Sequence, residues 1–230
     1  MAAKVKNRPR EERDQRWRGF LSYGLVRPWS FWLFQVASMA RCGVTLDISQ
    51  SFQCNLKCEY CGLQLGSNGA FPVDRDSASL DEWVQFIERF PVKVSALQIC
   101  GGEPTISDVA MRLAEWGLDA GYLVYVYTNL SNLRLLDIRR CWRLRIVTTC
   151  HRGVDQVAWL DRYRKVRARH PGILVKELGN ARTLPIPSVL VPEEENWEAV
   201  IRIPKRNCFR VGPDLRLFTN NMDAYAHYRP

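Results

Sequence analysis

Long apolar runs are missing from this chain of 230 residues. The longest nearly apolar stretch, Trp29 to Ala40, is interrupted by Ser30, Gln35 and Ser38 and falls well short of the roughly 18 apolar residues that a membrane-spanning helix requires. A membrane span is therefore not expected. Low-complexity tracts are missing too. With 47% apolar, 11% aromatic and 25% charged residues, the chain has material for one sizeable core, which excludes a wholly disordered or fibrous protein. A third absence is chemical: no second Cys or His pair stands at the spacing that would complete a structural zinc site.

Acidic side chains are the scarcer charge, 24 against 33 basic ones, for a net charge of +9. Met1 to Arg18 alone holds seven basic and three acidic residues and supplies +4 of that total. A short basic arm of this kind is compatible with nucleic acid but is read first as a solvated terminus. A second basic run, Arg162, Arg164, Lys165, Arg167 and Arg169, falls on an expected helix and reads as its solvated face. Trp29, Trp32, Leu33 and Val36 recur at helical spacing and predict an amphipathic entry helix rather than the core of a signal peptide.

Eight cysteines are present: Cys42, Cys54, Cys58, Cys61, Cys100, Cys141, Cys150 and Cys208. An even number would permit disulfides, but three of the eight crowd into one short segment while the others stand singly in a long chain. That distribution favours metal ligation in a reducing, cytoplasmic setting.

From residue 44 onward, short β-branched runs alternate with segments of helical period, the pattern of βα units and a parallel sheet. Strands are predicted at Val44–Ser49, Ala96–Cys100, Tyr122–Tyr127, Arg145–Cys150, Ile173–Leu178 and Ile186–Val191. Leu80, Trp83, Val84 and Ile87 form one helical stripe, and Val109, Leu113 and Trp116 another; further helices are expected near Asn132–Cys141 and over Val154–Arg169. The fold class is therefore α/β, a partial (β/α)6 parallel barrel with an N-terminal helical arm and a small C-terminal hairpin. The expected division is residues 1–40 for the arm and entry helix, 41–192 for the core, and 193–230 for the appendage. Asp47 and Ser49 share one face of the first strand and are placed inside the barrel. Gly62 to Asp76 forms a long polar loop.

The segment Cys54-Asn55-Leu56-Lys57-Cys58-Glu59-Tyr60-Cys61 puts three thiols in one loop directly after the first strand. Three ligands leave a cluster iron open to a substrate or cofactor, an arrangement suited to catalysis. At this point the sequence resembles the radical S-adenosylmethionine (SAM) superfamily, whose CxxxCxxC loop with an aromatic before its last cysteine is matched by Cys54, Cys58, Tyr60 and Cys61. Gly101-Gly102-Glu103-Pro104, after the second strand, resembles the family's GGEP motif. Thr128-Asn129, after the third, resembles its TN(G) turn, with Leu130 where the family has glycine. Thr149-Cys150-His151, after the fourth, resembles its segment near the SAM ribose and carboxylate.

The resemblance implies one 4Fe-4S cluster on Cys54, Cys58 and Cys61. It implies SAM contacts from Tyr60, Gly101, Gly102, Glu103, Thr128, Asn129, Thr149 and His151, with Glu103 accepting from the SAM ammonium. It also implies reductive cleavage of SAM to a 5′-deoxyadenosyl radical that abstracts hydrogen from a substrate, and an electron donor such as flavodoxin or ferredoxin. No catalytic residue beyond the cluster is assigned. Cys42, Cys100, Cys141 and Cys150 are read as structural thiols. Cys208 to Asp214 resembles the start of SPASM or twitch-type extensions, yet no cysteine follows near Thr219-Asn220-Asn221, so a second cluster lacks ligands. A peptide or protein side chain is the substrate that this tail suggests. Modification of a nucleoside or nucleic acid, and a non-catalytic iron–sulfur or zinc module, remain as alternatives.

Overall fold

The computed structural model describes residues 43–58, 61, 77–151, 153–178, 184–186, 188–191, 208–218 and 227. The expected entry helix, Tyr60, the polar loop from Gly62 to Asp76 and the Thr219-Asn220-Asn221 segment lie outside these described residues. Strand β1 (Val44–Ser51) is followed by helix α1 (Leu80–Glu88), β2 (Val94–Gly101), α2 (Asp108–Asp119), β3 (Leu123–Thr128), β4 (Leu144–Cys150), α3 (Gln156–Arg169), β5 (Leu174–Leu178) and β6 (Val189–Val191). A hairpin of β7 (Cys208–Val211) and β8 (Leu217–Phe218) completes the described elements. They form one sheet in the order β6-β5-β4-β3-β2-β1-β7-β8. All neighbouring pairs are parallel except β7 with β8.

Each helix starts where the sequence supplies a cap. Ser79 and Glu82 form a reciprocal capping box on α1, Ser107 accepts from Ala110 N on α2, and Asp155 accepts from Val157 N and Ala158 N on α3; each contact satisfies backbone donors that the first turn leaves open. The apolar stripes of these helices meet one face of the sheet. Trp83 and Ile87 of α1, Leu113 and Leu118 of α2, and Trp159 and Val166 of α3 join Leu46, Ile48, Leu97, Ile99, Val124, Val126 and Ile146 in a single cluster. Described helices on only one face of an unclosed parallel sheet make this a partial barrel rather than a doubly wound fold.

One expected helix is replaced. Between Asn132 and Cys141 the chain forms only a short 3-10 turn, Arg134–Leu136. Asn129 Oδ1 accepts from Ser131 N at 2.8 Å and Asn132 Oδ1 from Arg134 N at 3.1 Å, two successive side-chain turns, after which the chain closes only i→i+3 bonds, Leu136 N to Leu133 O at 2.9 Å and Asp137 N to Arg134 O at 3.1 Å.

Strand alternation leaves the opposite face polar toward the C-terminal strand ends, with a small apolar cluster of Ala96, Leu123 and Tyr125 beneath. Asp47, Ser49, Gln98, Cys100, Tyr125, Tyr127, Thr149 and Lys176 alternate with core residues, and Lys176 Nζ stands 5.2 Å from the Tyr127 ring centre, a cation over an aromatic face. The hairpin extends the sheet beside β1, and the pairing of β7 with β1 sets Arg210 opposite Asp47, which brings a cation onto this face.

Candidate functional site

The site is built at the C-terminal ends of β1, β2, β3 and β4, where a parallel sheet delivers its loops. After β2 the chain turns back against the exit of β1. Gly101 has φ +110°, and a Cβ there would stand 2.3 Å from Ser51 O; at Gly102 a Cβ would stand 1.9 Å from Gln53 O. Both glycines are therefore required by contact with the backbone that leads into the cysteine loop. Gly102 N donates to Ser51 O at 2.9 Å and Glu103 N to Gln53 O at 2.8 Å. The GGEP turn is thus stitched to the residue preceding Cys54.

The loop itself is short and internally braced. Leu56 N donates to Cys54 Sγ at 3.4 Å, and Cys61 N donates to Cys58 O at 2.9 Å. Cys58 Sγ lies 3.6 Å from His151 Nδ1. All three thiols are partly exposed and none is in a disulfide. Burial pushes the Cys54 thiol up to about 11; the Leu56 N–H opposes the rise, and Glu103 and the other two thiols add to it. Burial also pulls His151 down to about 4, so its ring faces Cys58 as a neutral imidazole.

Glu103 is only 2% exposed. Its Oε1 accepts from Thr105 N at 3.1 Å, Thr105 Oγ1 at 2.5 Å and Thr128 Oγ1 at 2.6 Å, while Oε2 accepts from Asn129 N at 2.6 Å. Every one of these donors is neutral. A buried carboxylate without a cationic partner among the described residues is costly, and Oε2 keeps an acceptor site beyond Asn129.

The turn after β3 completes the arrangement. Leu130 takes φ +60°, the left-handed conformation in which glycine is cheapest, although its side chain is fully buried. Thr128 Oγ1 accepts from Leu130 N at 2.9 Å, Trp159 Nε1 donates to Asn129 O at 3.1 Å, and Arg162 Nε donates to Leu130 O at 2.7 Å. These bonds hold Leu130 in the left-handed conformation that glycine would adopt at least cost. Asn129 Nδ2 reaches Asn55 Oδ1 at 3.0 Å and Cys54 Sγ at 3.9 Å.

Of the residues singled out in the sequence, the structure brings Cys54, Cys58, Cys61, Gly101, Gly102, Glu103, Thr128, Asn129 and His151 into one contiguous network. Thr149 sits at the end of β4 beside Lys176 of β5. Tyr60 is outside the described residues. The donor set suits an iron–sulfur cluster: three thiols in one loop, N–H donors to sulfur, and no disulfide to consume them. Among the described residues no three Cys, His, Asp or Glu side chains converge on a single ion. A cluster asks less, since its irons sit at separate corners and each takes its own thiolate, and coordination removes the thiol proton outright.

Cys150 is a buried core residue, as read from the sequence. Cys100 is different. Instead of packing apolar neighbours, its thiol donates to Asp47 Oδ1 at 2.7 Å and lies 3.1 Å from Arg210 Nη1; burial first, and Asp47 next, push it up to about 12. Arg210 also pairs with Asp47 Oδ2 and donates to Ser49 Oγ at 3.0 Å. Sequence reasoning overlooked Arg210, yet strand alternation from Val211, a core residue, already assigns it to the inner face.

No family model matches the chain, and no curated protein does. Solved structures of similar architecture include Streptococcus suis SuiB bound to S-adenosylmethionine, at 13% identity over 80% of this chain and 42% of that one, with TM-score 0.45. SuiB bound to the precursor peptide SuiA matches at 14% identity over 96% and 50%, with TM-score 0.47. BtrN in an open conformation matches at 13% over 76% and 68%, with TM-score 0.42. The chain spans half or less of the length of these two SuiB chains.

Proposed function

We propose that this chain is a radical SAM enzyme that holds one 4Fe-4S cluster on Cys54, Cys58 and Cys61 and reductively cleaves SAM beside it. The observation that carries the reading is the juxtaposition of a three-thiol loop with a buried carboxylate that has only neutral partners. Glu103 is close enough for its charge to raise the Cys54 thiol, so a ligand cation near Glu103 stands next to the cluster loop. The SAM ammonium is such a cation, and a charge-assisted hydrogen bond to Oε2 offsets the cost of burying the carboxylate. When bound, the reduced cluster and SAM together supply a 5′-deoxyadenosyl radical, the agent that abstracts hydrogen from substrate.

The chain's own residues do the positioning. Gly101 and Gly102 set the turn against the root of the loop, and Thr105, Thr128 and Asn129 fix the Glu103 carboxylate. His151 stands over Cys58 as a neutral ring, and Thr149 with Lys176 and Tyr127 lines the inner face beyond it. That face, with its hydroxyls, amide and cation, suits a polar substrate, and the SPASM-like tail supports a peptide or protein side chain. An electron donor of the flavodoxin or ferredoxin kind would supply the reducing electron.

Iron and sulfide analysis of anaerobically reconstituted protein tests the ligand assignment. The wild-type chain is expected to hold about four irons, the stoichiometry of a single such cluster, and single replacements Cys54→Ala, Cys58→Ala and Cys61→Ala are each expected to abolish stable loading. Full loading in any one of the three would overturn the assignment.

A further inference from the structure

The side chain of Asn129 is turned toward the cysteine loop. Its Oδ1 is occupied by the backbone N–H of Ser131 at 2.8 Å. This contact fixes the orientation of the carboxamide, since the NH2 group must then occupy the other position. From there Nδ2 reaches Asn55 Oδ1 at 3.0 Å and Cys54 Sγ at 3.9 Å. The backbone is held just as firmly: Asn129 N donates to Glu103 Oε2 at 2.6 Å, and Asn129 O accepts from Trp159 Nε1 at 3.1 Å. The carboxamide is therefore mounted on a rigid junction of β3, the GGEP turn and α3, and both of its hydrogens are directed at the cysteine loop.

On the ground of the function proposed above, we propose that Asn129 is a positioning residue for the cluster, donating an N–H to the Cys54 sulfur and anchoring the loop through Asn55. Cys54 then receives two N–H donors, one from its own loop at Leu56 and one from a strand end that lies 75 residues away in sequence. Hydrogen bonds to ligand sulfur withdraw electron density and favour the reduced, more negative cluster, which raises its potential. The donor from Asn129 belongs to a different element from the loop, so the potential is coupled to the turn that also fixes Glu103. Displacing this turn would alter both at once.

The test is an EPR-monitored redox titration of anaerobically reconstituted wild type, Asn129→Ala and Asn129→Asp. Asp keeps the acceptor for Ser131 N and removes both amide hydrogens. Both variants are expected to bind iron and to show a lower midpoint potential than wild type, with Asp, which adds negative charge beside the sulfur, the lower of the two. Iron-replete variants with the wild-type potential would overturn the proposal while leaving the cluster assignment intact. Wild-type protein that takes up no iron would overturn the functional reading and this proposal with it. Should neither variant reconstitute, pulsed EPR of reduced Asn55→Ser protein carrying asparagine labelled with 15N only in the side-chain amide decides the matter: a nitrogen coupling to the cluster is expected, and its absence would overturn the proposal.

Discussion

Glu103 gathers four hydrogen bonds on two oxygens, and all four donors belong to its own turn or to the end of β3. Replacing it by Gln exchanges one acceptor oxygen for an amide that cannot accept, so at least one buried donor loses its partner, at a cost of about 1–3 kcal/mol. Glu103→Gln is expected to lower unfolding stability by that amount in denaturant titration. It is also expected to weaken SAM binding by about tenfold or more, the worth of a lost charge-assisted bond, with iron content retained. Unchanged SAM affinity, read from the cluster spectrum, would remove Glu103 from the ligand site and leave it as a structural tie. The motif around Glu103 was legible in the sequence because four residues in a row repeat a known pattern at a strand end. The structure adds a second demand on its glycines, close packing against the backbone of Ser51 and Gln53, a contact between segments some fifty residues apart that no local pattern encodes. Leu130 is the converse case, a residue at φ +60° whose left-handed turn is held by the hydroxyl of Thr128 and the side chain of Arg162, contacts that no local pattern announces.

At the level of elements, β7 is the one whose placement matters most for the inner face. A strand of four residues far along the chain docks beside β1, with Arg210 and Asp47 almost wholly buried together. Removing one partner of such a pair leaves an uncompensated charge and costs about 3–5 kcal/mol, whereas replacing both by apolar groups is often close to neutral. Arg210→Met is therefore expected to destabilise the protein strongly in thermal or denaturant unfolding, and Asp47→Leu combined with Arg210→Met to recover most of the loss. A single variant as stable as wild type would show that the pair does not fasten the hairpin. The hairpin was visible in the sequence from its Gly212-Pro213-Asp214 turn, but its docking site was not, because parallel pairing over such a separation leaves no local trace. The helix expected after β3 is replaced for a local reason instead: its apolar residues fit helical spacing, yet side-chain turns at Asn129 and Asn132 are followed by i→i+3 bonds alone.

For the whole molecule, the alternation of β-branched runs with amphipathic stripes was enough to read an open parallel barrel, since each crossover helix carries its own cap and each strand its own period. The candidate site was legible at the strand ends for the same reason: the cysteine loop, the Gly101–Pro104 turn and the Thr128-Asn129 turn are local signals that the sheet order places side by side. The polar lining opposite the helices was only partly legible, through Asp47 and Ser49. The remainder follows from pairing register, which sets Gln98 opposite Asp47 and Cys100 opposite Ser49. The central claim is that these strand ends cooperate to cleave SAM, and the most direct measurement is the product itself. Reduced, reconstituted protein incubated anaerobically with SAM and no added substrate is expected to release 5′-deoxyadenosine slowly, and the Cys58→Ala variant to release none. Iron-replete, reduced protein that binds SAM yet yields no 5′-deoxyadenosine, with or without cell extract, would contradict the account.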